Sequence, residues 1–171
     1  MGLGNPEEKF EKTFHNAGAL LADRIAANKS KPNFKKVTGK RFVAAQRGTV
    51  RIVKPTLFMN ESGAAAKEAL AFYKAKPEEL LVLHDDADLP LGTFRIQQGG
   101  GSAGHKGIAS IISVLGTADF WRARIGIRIP ERDVEKRRKA ETFVLSTMQR
   151  SEEQKLFDAF ESIETVLFPT R

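Results

Sequence analysis

The chain has 171 residues, 41% of them hydrophobic and 29% charged, which suits one globular unit spanning residues 1–171 with a single substantial core. Its 28 Lys and Arg against 21 Asp and Glu leave a net charge of +7, a balance that favours an anionic partner such as nucleic acid over a small neutral metabolite. The lack of cysteine excludes a disulfide framework, a thiolate nucleophile and sulfur-based zinc sites, while the early charges Glu7, Glu8, Lys9, Glu11 and Lys12 leave no apolar leader and no later run reaches membrane-spanning length, so a cytoplasmic protein is expected.

Helix and strand signals alternate along the chain, as in an α/β layer structure. Residues 17–28 place Leu20, Leu21 and Ile25 on one side of a predicted helix. Two short β-type runs, 42–46 and 50–54, flank Arg47-Gly48-Thr49, which suits a hairpin turn. An Ala-rich helix is predicted over 63–75, with Asn60 or Ser62 available as its cap. The apolar run Leu80-Leu81-Val82-Leu83 reads as a buried strand that ends in His84-Asp85-Asp86-Ala87-Asp88, a stretch with the composition of a turn before Pro90. Polar residues at the C-terminal end of such strands often line the ligand crevice of α/β sheets. A strand at 94–97 leads to a glycine-rich segment and a helix over 108–115. The run from Arg122 to Ile129 alternates, basic on one face and apolar on the other. A charge run at 131–139 suits a solvated face, and Ser151-Glu152-Glu153-Gln154 has a capping-box pattern before a terminal helix with Leu156, Phe157, Phe160, Ile163 and Leu167 as its buried stripe.

All three histidines, His15, His84 and His105, fall in the three most polar and glycine-rich segments, which points to one site. No serine sits in Gly-x-Ser-x-Gly, so covalent catalysis has no support. His105 interrupts the Gly-x-x-x-x-Gly-Lys order, which argues against a nucleotide-binding P-loop. His84, Asp85, Asp86 and Asp88 could in principle hold a cation, but no second histidine stands at ligand spacing, so neither metal nor cofactor is expected. What remains is a histidine paired with a carboxylate, activating water near pH 7. His-Asn at a helix start, Asn before Pro6 and Asp before Pro90 each have ordinary capping or turn explanations, so it is their joint occurrence that carries weight.

Taken in order, Gly2-Leu3-Gly4-Asn5-Pro6, Thr13-Phe14-His15-Asn16, the run from Lys54 to Gly63 containing Met59-Asn60, the run His84 to Gly92, Gly99 to Gly107 and Arg122 to Gly126 closely resemble bacterial-type peptidyl-tRNA hydrolases over nearly the whole chain. The resemblance implies a monomeric, metal-free single-domain enzyme, a mixed β-sheet flanked by helices in three layers, which cleaves the ester between a peptide and the 3′ end of tRNA. It assigns His15 as general base and Asp85 as its orienting partner. It further implies that Asn5, Phe10, Met59, Asn60, His105 and Lys106 contact the substrate, and that Arg95 and Arg124 clamp the tRNA 5′ phosphate.

Several positions depart from the family pattern. Phe10 replaces a common tyrosine, Phe14 an arginine, and Lys106 an asparagine; a lysine can contact phosphate or a developing oxyanion but cannot accept a hydrogen bond. The family's phosphate-binding lysine falls at Gln97, which moves the expected cation to Arg95, two residues earlier on the same strand face. Family members also carry apolar residues ahead of Gly-Leu-Gly-Asn-Pro that complete a central strand, so a chain opening at Met1-Gly2 is expected to have a shortened strand there. A non-catalytic RNA-binding relative and a generic small-ester hydrolase are the competing functions.

Overall fold

The computed structural model describes residues 1–27, 33–129 and 143–169; the charge run at 131–139 lies outside them. Among the described residues, helices α1 (Ala17–Ala27), α2 (Ser62–Tyr73), α3 (Lys106–Leu115) and α4 (Arg150–Leu167) accompany six strands. These are β1 (Lys35–Lys36), β2 (Phe42–Arg47), β3 (Val50–Pro55), β4 (Leu81–Pro90), β5 (Phe94–Gln98) and β6 (Trp121–Arg128).

Strands β1, β2 and β3 form an antiparallel ladder, whereas β4 pairs parallel and β5 antiparallel with the central β6. The segment Met1–Leu3 links the two ladders: the Gly2 amide donates to the Val53 carbonyl at 2.9 Å, and the Leu3 amide to that of Leu83 at 3.0 Å. The result is the expected mixed sheet with a helical layer on each side. Leu83, Ile125 and Ile127 pack against Leu21 of α1 and Leu156 and Phe160 of α4. Val53 and Val82 pack on the other side with Ala65 and Ala66 of α2 and Ile108 and Ile111 of α3. Burial on both faces is what an apolar, β-branched strand composition requires.

Small residues set the layer spacing. A Cβ at Gly18 would lie 2.0 Å from the Leu83 carbonyl oxygen, so α1 rests directly on the backbone of β4. Leu21 and Ile25 are buried beneath it, and Leu20 sits half-buried at the edge of the stripe. Gly48 takes φ 58° in the β2–β3 hairpin, the left-handed conformation such a turn needs.

Three local expectations are corrected. Neither Asn60 nor Ser62 caps α2: Ser62 is its first residue, and its hydroxyl donates back to the Met59 carbonyl at 2.7 Å, while Asn60 lies in a 3₁₀ turn. Helix α4 begins two residues earlier than the Ser151 pattern suggests, with Gln149 at the cap position and its amide donating to the Glu152 carboxylate at 2.7 Å. Within the terminal stripe, Leu156, Phe160 and Ile163 are fully buried, whereas Phe157 and Leu167 pack at its margin.

Candidate active site

Strand β4 does not end at Leu83. It remains paired with β6 through Asp85↔Ile125 and Asp86↔Gly126, then bulges before pairing again at Pro90↔Arg128. Gly126 permits this, since a Cβ there would lie 2.1 Å from the Pro90 carbonyl oxygen. The polar residues read as a turn are therefore held on a strand, with His84, Asp85 and Asp86 all buried.

Asp85 accepts hydrogen bonds from two histidines. The Nδ1 of His15 lies 2.9 and 3.0 Å from its two carboxylate oxygens, and the Nε2 of His105 lies 3.0 Å from Oδ1. An ionised carboxylate only accepts, so each of these ring nitrogens carries a proton. For His105 the other nitrogen is also settled: Nδ1 accepts the amides of Gly107 and Ile108 at 3.1 and 3.2 Å and caps α3. This cap starts α3 at Lys106 rather than residue 108, because an imidazole does the work usually given to Ser, Thr, Asp or Asn. For His15, the proton on Nδ1 leaves Nε2 as an unprotonated base in the neutral ring. Burial by itself raises the Asp85 carboxyl; the field and N–H of His105, then the N–H of His15, outweigh it and hold the group well below the usual carboxylate range.

His84 stands behind this pair. Its Nδ1 donates to the Asp85 backbone carbonyl at 2.7 Å and its ring meets that of His105 edge-on, with centroids 4.8 Å apart. Burial first, then repulsion from His105, outweigh the attraction of Asp85 and Asp86 and pull its pKa from 6.5 to about 3. It is a neutral packing residue at any ordinary pH.

The pair opens on a cleft of about 840 Å³, whose walls include Asn5, Met59, Asn60, His105 and Lys106. Asn5 is fixed by Asn16: the Asn5 amide donates to Asn16 Oδ1 at 2.8 Å, and Asn16 Nδ2 donates to the Asn5 carbonyl at 3.0 Å. Asn5 Oδ1 in turn accepts the Met59 amide at 2.9 Å, which leaves the Asn5 Nδ2 hydrogens as what this side chain can offer a ligand. Met59 is buried against Gly107, where a Cβ would stand 2.6 Å from its sulfur; Asn60 and Lys106 are exposed. Phe10 lies outside the cleft walls, half-buried in a 3₁₀ turn with Lys9 over its ring.

The other end of the cleft is cationic. Residues 122 and 124 of β6 lie on one face of the strand and Ala123, Ile125 and Ile127 on the other, as the alternation implies, but the basic face is covered rather than solvated. Arg122 is only 3% exposed, donates from Nη1 to the Gly101 carbonyl at 2.7 Å, and has no partner for Nε or Nη2 among the described residues. Burial, then the neighbouring Arg124, lower its pKa, while Asp86 opposes them. Arg124 donates from Nε to Asp86 Oδ2 at 2.5 Å and from Nη1 to Gln97 Oε1 at 2.9 Å. Arg95 is directly opposite Arg124 in the β5–β6 register and is exposed, but it is not a wall of the cleft.

The ligand-type atoms of His15, Asp85 and His105 lie within 4.8 Å of one another, a spacing a cation could use. Here the two ring nitrogens facing Asp85 are proton donors, so a cation would have to displace the protons that the carboxylate already receives. Sequence reasoning did not anticipate the His105–Asp85 bond, the Asn16 brace, or the buried Arg122 and Asp86. The alternation of β6 was the available signal for Arg122.

The peptidyl-tRNA hydrolase family model matches residues 1–168. A peptidyl-tRNA hydrolase of Caldicellulosiruptor saccharolyticus is 42% identical over 164 residues, covering 94% of this chain and 82% of that protein. One from Neisseria meningitidis is 46% identical over 135 residues, covering 76% and 69%. The crystal structure of the peptidyl-tRNA hydrolase from Acinetobacter baumannii superposes with a TM-score of 0.83 at 29% identity, covering 94% of this chain and 81% of that one. Matched by the family model over residues 1–168 and 42% identical to a relative across 94% of its length, the chain belongs to the peptidyl-tRNA hydrolase family.

Proposed function

We propose that this chain hydrolyses the ester joining a peptide to the 3′ end of tRNA, releasing free tRNA and peptide. The observation that carries the proposal is the His15–Asp85 pair, in which the carboxylate fixes the Nδ1–H tautomer and leaves Nε2 as the base beside a cleft. In the reaction His15 Nε2 takes a proton from water as its oxygen attacks the ester carbonyl. Asp85 stabilises the imidazolium, which then returns the proton to the departing 3′ ribose oxygen. Asn5 Nδ2, with its oxygen committed to the Met59 amide, donates to a carbonyl of the peptidyl group, and Asn60 lies beside it on the rim. Arg124, with Arg95 across from it on β5, takes a phosphate of the tRNA.

The test is cleavage of purified peptidyl-tRNA by wild type and His15→Ala. A lost general base is worth about 10²–10⁴-fold, so the variant should turn over at least 100-fold more slowly, with tRNA affinity within about twofold of wild type. Wild-type-like hydrolysis by the variant would sink the mechanism. RNA binding without cleavage by the wild-type protein would favour a non-catalytic relative.

A further inference from the structure

Asp86 has no part in the proton chemistry of His15, yet it is a carboxylate with only 5% of its side chain exposed, set in the wall of the cleft. Its Oδ1 accepts the Asp88 amide at 2.9 Å and its Oδ2 the Arg124 Nε–H at 2.5 Å. Arg124, 17% exposed, spends Nη1 on Gln97 as well. The guanidinium fork binds an oxyanion best through two parallel N–H donors, and the edge that includes Nε is held by Asp86. Arg122, on the same strand face, adds a second buried guanidinium whose described hydrogen bond goes to the Gly101 carbonyl, so Asp86 is paired with Arg124 alone of the two arginines.

We propose that Asp86 is a built-in competitor for the anionic group of the substrate, holding the Arg124 guanidinium until an incoming phosphate displaces it. The inference rests on the proposed hydrolase function and concerns its specificity. A carboxylate carries one negative charge, whereas a terminal phosphate monoester carries about 1.5–2 at pH 7 and three acceptor oxygens. A phosphodiester, with one charge, gains little by replacing Asp86, so the exchange favours a chain-terminal phosphate over the internal backbone. The same carboxylate returns to Arg124 as the product tRNA leaves, which limits how tightly the product is held.

The experiment measures binding of deacylated tRNA, with and without its 5′ phosphate, to wild type, Asp86→Asn, Arg124→Gln and the double variant. Asp86→Asn should bind the 5′-phosphorylated tRNA at least fivefold more tightly, gain less than twofold for the dephosphorylated form, and lose its advantage in the double variant. Equal or weaker binding by Asp86→Asn makes Asp86 a brace for Arg124 and overturns the proposal. If Arg124→Gln alone leaves affinity unchanged, the phosphate role in the proposed function fails instead. Should Asp86→Asn not fold, wild type answers by titration with inorganic phosphate: the Arg124 Nε–H resonance must shift as its partner changes, and an unmoved resonance refutes the exchange.

Discussion

The two ends of the cleft are built on opposite plans. Around Asp85 the protons facing the carboxylate have defined acceptors: His15 and His105 both point N–H groups at it, and the remaining His105 nitrogen caps α3. Around Arg122 and Arg124 donors exceed acceptors: the carboxylate of Asp86 pairs with Arg124, while Arg122 keeps buried N–H groups without a described partner. With every N–H that faces the carboxylate accepted, and only the buried Nε2 lone pair of His84 left without a described partner, the Asp85 end fixes tautomer and geometry before substrate arrives, as proton transfer requires. A network with surplus donors is costly in isolation and is completed by an anion. On the proposed mechanism, loss of the first end should stop chemistry and loss of the second should weaken binding.

Asp85→Asn is the strongest way to break that division. An amide can donate to as well as accept from the imidazoles, so His15 loses the force that keeps its proton on Nδ1, and the imidazolium loses its counter-charge. Turnover of peptidyl-tRNA should fall about 10³-fold with tRNA affinity nearly unchanged. A fall in affinity matching the fall in rate would show that the two ends are not separable.

Arg122→Met tests the cationic end, with a smaller effect and a different signature. Replacing a buried, incompletely paired charge by an apolar chain of similar volume is often neutral or stabilising, so Tm should stay level or rise even though the bond to Gly101 is lost. KM should rise about 10-fold, and the salt dependence of tRNA binding should become shallower as a cation leaves the cleft wall beside Arg124. A lowered Tm with unchanged KM would make Arg122 a loop anchor and nothing more.

How these two ends read in the sequence follows from the same difference. His15, Asn5, Met59, Asn60 and Asp85 sit in short contiguous motifs, and the apolar run before Asp85 already places it at a strand end. The pairing of Asp86 with Arg124 spans 38 positions and depends on β4 continuing past Leu83. Asp-Asp-Ala-Asp has poor strand propensity, and only pairing with β6 overrides it. The His105 cap was hidden because His is not a usual capping residue, and the three residues of Met1–Leu3 are too few to show a period although they join the two ladders. The layers, by contrast, were legible because apolar alternation and helical stripes report burial directly.

His84 gives the smallest effect and the finest test of the closed end, through pH rather than rate. Its folded pKa of about 3 lies below the ordinary 6.5, so between these values the unfolded chain binds a proton that the folded chain refuses. Stability then falls as pH falls through 6.5, by about 1 kcal/mol between pH 6.5 and 5.5 from this group alone. Asp85 adds nothing in that window, because its depressed pKa makes its contribution disappear only below the ordinary carboxylate range. His84→Asn, which has no titrating ring, should therefore flatten the pH dependence of urea unfolding between pH 6.5 and 5.5 by about three-quarters of a proton, whatever it does to absolute stability. An unchanged slope would mean that His84 takes up its proton in the folded protein, and the neutral packing role against His105 would have to be abandoned.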